Sequence, residues 1–165
     1  MLSAELIEDC RMAEVPYTVE MTGKTMDELR VCKTPVRVRY AETDQMGVVY
    51  HSNYLIWFEV GRVEFMRAHG LSYKHMEQEE GCMIAVVEAN ARYRAPARYD
   101  EELEVETWLA SARGAVIRFE YRIVRDGTVL CEGHTVHVVV GRDMKKRRLP
   151  ERYSILLAAH RNAEN

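Results

Sequence analysis

The chain contains no apolar run approaching the ~20 residues that a membrane-spanning helix needs. Its first residues, MLSAELIEDCRMAEV, place acids where a secretory leader would carry a basic end and an apolar core. A cytoplasmic location is the expectation. Cysteine is sparse: Cys10, Cys32, Cys82 and Cys131 stand far apart, with no CxxC pair and no spacing that would bring two of them to one metal. Reduced thiols fit that distribution. Charge of one sign is also lacking, with 26 acids against 23 bases and a formal charge of −3, so bulk attraction to nucleic acid has no basis. HxxxH, HExxH and Gly-x-Ser-x-Gly are missing, which removes the usual signs of zinc and serine hydrolases.

What remains is a chain of 165 residues, 47% of them apolar, enough for one compact domain and short for two. Residues 1–33 differ from the rest, with seven acids against four bases, and read as an N-terminal extension of unknown role. Within them TGKTMDELR spells Gly23-Lys24-Thr25, but a phosphate loop needs a glycine five residues earlier, where Thr18 stands. An accessory helix and strand, or an arm, is the simpler reading. Residues 34–165 carry the domain.

From Pro35, PVRVRY alternates apolar and basic residues as a strand with one buried face does. After the loop AETDQMG, SNYLIWFEVGRVEFMRAHG sets Tyr54, Trp57, Phe58, Gly61, Phe65 and Ala68 at three- and four-residue intervals. Glu59, Arg62, Glu64 and Arg67 fall around them. The spacing predicts a helix opened by Ser52 or Asn53 and closed by Gly70. Gly61 lies within the apolar stripe, where glycine costs ~1 kcal/mol, so close approach of another backbone is expected there. A short helical stretch, SYKHMEQEE, precedes four strand-like runs: CMIAVVEANARYRAP, ELEVETWLASARG, AVIRFEYRIVRDG and TVLCEGHTVHVVVGRD. Gly114 and Asp126-Gly127 supply hairpin turns. PERYSILLAAHRN reads as a final helix with proline in its first turn. Together these predict an α+β layer: a strongly curved antiparallel sheet with the long helix on its concave face, filled by Trp57, Phe58 and Phe65.

The loop before the helix carries the chemistry. A helix N-terminus presents unpaired N–H groups and partial positive charge, suited to an oxygen gaining negative charge. With Asp44 beside it and Gly47 letting the backbone turn, loop and helix could bracket one carbonyl between a carboxylate and amides. Tyr50 and His51 stand where either could orient a water, a leaving group or the acid. The plainer reading of Asp44 is a turn former or cap. Trp57 and Phe58 read first as core, and the odd spacing of His134 and His137 sends them to opposite faces of a strand, so a shared metal is not expected.

The segment VRYAETDQMGVVYHSNYLIWFEVGRVEFMRAHG closely resembles the opening motif of the 4-hydroxybenzoyl-CoA thioesterase-like branch of the hotdog-fold superfamily, especially its bacterial acyl-CoA thioesterases associated with the Tol-Pal system. The likeness continues through YRAPARYDEELEV to Leu149-Pro150, covering about residues 35–155; the leader lies outside it. The resemblance implies a hotdog fold, with the helix as filling and the sheet as wrapper, and hydrolysis of acyl-CoA thioesters with no metal or organic cofactor. It makes Asp44 the catalytic carboxylate, as nucleophile or general base, and gives His51 a backbone N–H for the thioester carbonyl. Gly47, Val48, Tyr50, Asn53 and Tyr54 fall within the same substrate-binding motif. Glu59, on the helix, is a reserve carboxylate. Arg92, Arg94 and Arg98 are candidates for the CoA phosphates, as is the run Lys145–Arg148, where a solvated surface is the commoner explanation. Subunits of the family pair sheet to sheet with sites at the interface, so a homodimer assembling into a homotetramer is implied. Acyl-CoA is the expected partner, with acyl carrier protein as a second source of thioester; no nucleic acid and no transmembrane segment are expected.

A thioester suits a site with one carboxylate, because its thiolate departs without strong protonation. The competing reading is a non-catalytic hotdog module that binds acyl-CoA or acyl carrier protein. A hotdog dehydratase would carry a histidine motif such as H-F-P, which is missing.

Overall fold

The computed structural model describes residues 31–154. The Gly23-Lys24-Thr25 segment, Cys10, most of the leader and the final helix beyond Ser154 lie outside the described residues. The elements are β1 (Cys32–Arg37), a 3-10 turn at Tyr40–Glu42, α1 (Asn53–Ala68), α2 (Tyr73–Gln78), β2 (Cys82–Tyr93), β3 (Glu102–Arg113), β4 (Val116–Arg125) and β5 (Thr128–Gly141). Strand β1 starts at Cys32, so the sheet reaches back into the segment that composition assigns to the leader.

All five strands form one antiparallel sheet in the order β1-β3-β4-β5-β2. The hairpins β3-β4 and β4-β5 turn where glycine allows it: Gly114 has φ +60°, and Asp126 and Gly127 have +49° and +77°, the two successive positive values that a tight type I′ turn requires. Although β2 precedes β3 in the chain, it crosses to the far edge and pairs with β5, while β1 takes the other edge against β3. Register shifts after Val86, Leu109 and Ile123 interrupt the ladders, and such bulges increase local twist.

Helix α1 lies across one face of this sheet. Its buried residues, Tyr54, Trp57, Phe58, Gly61, Arg62, Phe65 and Met66, follow the three-and-four spacing. Phe58 stacks on Tyr121 with centroids 4.4 Å apart, and Phe65 meets Phe119 edge-on at 5.6 Å. Each such ring contributes roughly 1.5–3 kcal/mol by burial. Gly61 marks a close approach, but of β3 side chains rather than of backbone: a Cβ there would stand 2.8 Å from Val105 Cγ1 and overlap Thr107 Oγ1. Gly70, at φ +70°, ends the helix, its N–H bonded to the Arg67 carbonyl.

Arg62 corrects the reading that spreads the charges around the outside of the helix. It stands four residues after Phe58, on the buried stripe, and is only 9% exposed. What makes that tolerable is α2, whose Tyr73 hydroxyl accepts from Arg62 Nε at 3.0 Å and whose ring underlies the guanidinium. His134 and His137 do take opposite faces. His137 is in the core, edge-on to Phe119, and His134 pairs with Glu88 outside. Among the described residues no helix is long and apolar enough to cross a membrane.

Candidate active site

Residues 42–50 form a closed loop whose two stems are tied together. Thr43 and Val49 make an antiparallel bridge, and the Tyr50 N–H donates to the Glu42 carbonyl at 2.9 Å. Inside it the Asp44 N–H donates to the Val48 carbonyl at 2.9 Å, and the Gly47 N–H to the Asp44 carbonyl at 3.0 Å. Gly47 has φ +71°, and a Cβ there would meet nothing within 4 Å. Conformation, not space, is what asks for glycine. Asp44 Oδ1 accepts from the Met46 N–H at 2.8 Å. It is therefore a turn former, as the plainer reading holds, yet only one carboxylate oxygen is used for that. Oδ2 has no hydrogen-bond partner among the described residues.

The loop runs straight into α1. His51 and Ser52 make a turn, and Asn53 is the first helical residue. Ser52 holds the N-cap position but its hydroxyl makes no capping bond. The Asn53 side chain instead donates to the Glu42 carbonyl at 2.8 Å, tying the first turn to the loop. His51 sits two residues ahead of the helix, exposed, with its ring 4.3 Å from that of Tyr50. Its carbonyl accepts from the Tyr93 hydroxyl at 3.0 Å. Its N–H finds no acceptor among the described residues.

Tyr54 is buried, and its hydroxyl accepts from the Ala97 N–H at 3.0 Å. Burial raises its pKa above the ordinary tyrosine value. Ala97 also accepts from the Val49 N–H at 2.9 Å, so the segment between β2 and β3 packs onto the Asp44 loop. Asp44, Gly47, Val48, Tyr50, His51, Asn53 and Tyr54 thus gather around one corner of the fold. Glu59, Arg92 and Arg94 do not join them. Glu59 is exposed on α1, roughly 9 Å along the axis from Asn53 at 1.5 Å per residue. Arg92 lines a hollow of about 460 Å³ with Trp108, Arg118 and His134, on the sheet face away from α1, and Arg94 pairs with Glu132.

Two residues at this corner escape sequence reasoning. Tyr93 is the neighbour of Arg92 in a strand, so its side chain points the opposite way, toward Tyr54 with centroids 5.1 Å apart. Alternation along β2 is the signal that could have found it. Glu42 is 4% exposed. Its carboxylate accepts from the Arg39 N–H at 2.7 Å, Arg39 Nη2 at 2.8 Å and Trp57 Nε1 at 3.1 Å. Burial alone would raise its pKa, but the bonds from Arg39 and Trp57 outweigh it and hold the carboxyl below the usual range.

A helix packed on one face of a five-stranded antiparallel sheet, with the site loop at the helix N-terminus, is the hotdog α+β fold. Residues 38–157 match the model of the thioesterase-like superfamily, and the chain belongs to that family. It is 40% identical to the acyl-CoA thioester hydrolase YbgC of Escherichia coli over 119 residues, which span 71% of this chain and 88% of that protein. A solved Thermus thermophilus protein superposes with a TM-score of 0.72 at 39% identity, covering 82% of this chain and 98% of the other. The DHNA-CoA thioesterase of Staphylococcus aureus does so with a TM-score of 0.74 at 32% identity, covering 81% and 91%.

Proposed function

We propose that the chain is an acyl-CoA thioesterase that hydrolyses acyl-CoA to the free acid and CoA, with Asp44 as its reacting carboxylate and the His51 N–H as oxyanion donor. The observation that carries this reading is the loop of residues 42–50. It holds a carboxylate with one oxygen unpartnered among the described residues and leads directly into the His51 amide, which has no acceptor among them, at the mouth of α1. Membership of the thioesterase-like superfamily supports the reaction class.

As general base, Asp44 takes a proton from water while the hydroxide oxygen adds to the thioester carbon. The oxyanion is held by the His51 amide, then the carbon–sulfur bond breaks and the thiolate leaves. As nucleophile, Asp44 forms a mixed anhydride that water opens in a second step. A single turnover in ¹⁸O-labelled water detects the nucleophilic route when water opens the anhydride at the aspartyl carbon, because the first product acid then carries an unlabelled Asp44 oxygen. Thiol release from short-chain, long-chain and aromatic acyl-CoAs tests the reaction itself; binding with no release from any of them would leave a non-catalytic module.

The working unit is a homodimer that assembles further into a homotetramer. Strand β2 ends the sheet, its Val86 is 51% exposed, and α1 exposes Leu55, Ile56 and Val60. An open edge beside apolar side chains supports pairing with a second copy. Sedimentation at micromolar concentration tests it, and a monomer there would count against it. The sparse and widely spaced cysteines of the sequence, with no CxxC pair, support a reducing compartment.

A further inference from the structure

We propose that Glu42 is the positioning residue of this site: one buried side chain and its own carbonyl hold the Asp44 loop against the first two turns of α1. The inference rests on the thioesterase reading for its kinetic consequence and on the structure alone for its mechanical one.

Two sets of bonds meet at this residue. The Glu42 carbonyl accepts from the Tyr50 N–H and from Asn53 Nδ2, closing the loop at its far stem and fastening it to the start of the helix. The carboxylate reaches one turn further, where Oε1 accepts from Trp57 Nε1. Trp57 is 3% exposed and packs against Tyr54, so it offers a fixed donor. Arg39 completes the carboxylate from the other side, its backbone N–H on Oε2 and its guanidinium on Oε1. Together with the Thr43–Val49 bridge and the Val49–Ala97 bond, this junction fixes the placement of the residues between Glu42 and Tyr50, Asp44 among them, relative to the His51 amide.

Everything that faces the carboxylate is a donor. Arg39 N–H, Arg39 Nη2 and Trp57 Nε1 occupy both oxygens, so an amide NH₂ in either position would face a donor. Glu42→Gln keeps the volume and one oxygen but turns its NH₂ toward these donors, so at least one bond is lost and a buried polar group is orphaned. The depressed pKa of Glu42 agrees with an ionised carboxylate in this pocket at neutral pH. Because a shift of ~1 Å in a reacting group costs up to ~10²-fold in rate, a loosened loop should act on the chemical step more than on substrate capture.

The test compares wild type, Glu42→Gln and Trp57→Phe in the full-length protein by hydrogen–deuterium exchange and by steady-state hydrolysis of an acyl-CoA. Trp57→Phe removes one donor and keeps a smaller aromatic ring in the core, so it stays informative if Glu42→Gln folds poorly. The expected result is faster exchange confined to residues 43–50 in both variants, with strands β3 to β5 unchanged. Alongside it, kcat should fall by ~10-fold or more in Glu42→Gln at a KM within ~2-fold of wild type. Exchange over residues 43–50 equal to wild type in both variants overturns the proposal. So does acceleration spread evenly over the sheet, or a lowered melting temperature with unchanged kcat. If the wild-type protein releases no thiol, the thioesterase reading fails and the exchange pattern still decides the role of Glu42.

Discussion

Gly61→Ala places one methyl group where α1 and β3 nearly touch. The new Cβ lies 2.8 Å from Val105 Cγ1 and overlaps Thr107 Oγ1. Neither neighbour can swing aside, because both are short β-branched side chains on a strand paired on both edges, to β1 and β4. Helix and sheet must separate, at an overpacking cost of roughly 1–3 kcal/mol. Replacing glycine inside a helix returns ~1 kcal/mol. With both contacts too short, the net effect should be a destabilisation of about 1–2 kcal/mol, or a melting temperature lower by about 2–8 °C for a domain of this size. Urea unfolding gives the free energy, and Thr107→Ala supplies the control. The Thr107 hydroxyl has no hydrogen-bond partner among the described residues, so truncating it orphans none of them. In that background Gly61→Ala should cost about 1 kcal/mol less. A Gly61→Ala protein as stable as wild type, or the same cost in both backgrounds, would refute the packing argument.

Burial, with the Arg62 charge adding to it, pushes the His137 pKa down from 6.5 to about 3. The unfolded chain therefore takes up a proton near pH 6.5 that the folded one refuses. Stability should be full above that value and fall as pH drops toward 3, by up to ~1.4 kcal/mol per unit. Between pH 6.5 and 5, before ordinary carboxylates titrate, His137→Leu should flatten this decline in urea titrations; an unchanged slope assigns the decline to other groups. Tyr93→Phe removes the bond to the His51 carbonyl and should cost about 0.5–1.5 kcal/mol. Its kcat should drop several-fold at constant KM, and kinetics equal to wild type would remove Tyr93 from the site.

Much of this architecture is local and so is legible in the chain. The stripe of α1, the stop at Gly70, and the turns at Gly114 and Asp126-Gly127 each depend on spacing or on a positive φ within a few residues. Gly61 is readable for the same reason: an interior glycine has a cost that only close packing repays. The strand order is not. That β2 pairs with β5 follows from contacts far apart in the chain, and no local pattern in CMIAVVEANARY announces its partner.

At the site the division is similar. Asp44, Gly47, Tyr50 and His51 stand in one short stretch and emerge together from the motif. Glu42 stands in the same stretch, but its importance rests on Arg39, Asn53 and Trp57 converging on it, which appears only once the helix is docked. Arg62 reads as a surface charge until the Tyr73 hydroxyl arrives from the next helix. The two arginines of RYRAP draw attention for their charge, and the tyrosine between them is the one that reaches His51.

The proposed role of Asp44 in hydrolysing an acyl-CoA thioester is open to direct test. Wild type and Asp44→Asn, matched for folding by circular dichroism, should be assayed side by side for thiol release from the best acyl-CoA substrate. Wild type should release thiol, and kcat should fall by ~10²-fold or more in the variant. A variant that retains wild-type kcat would contradict it.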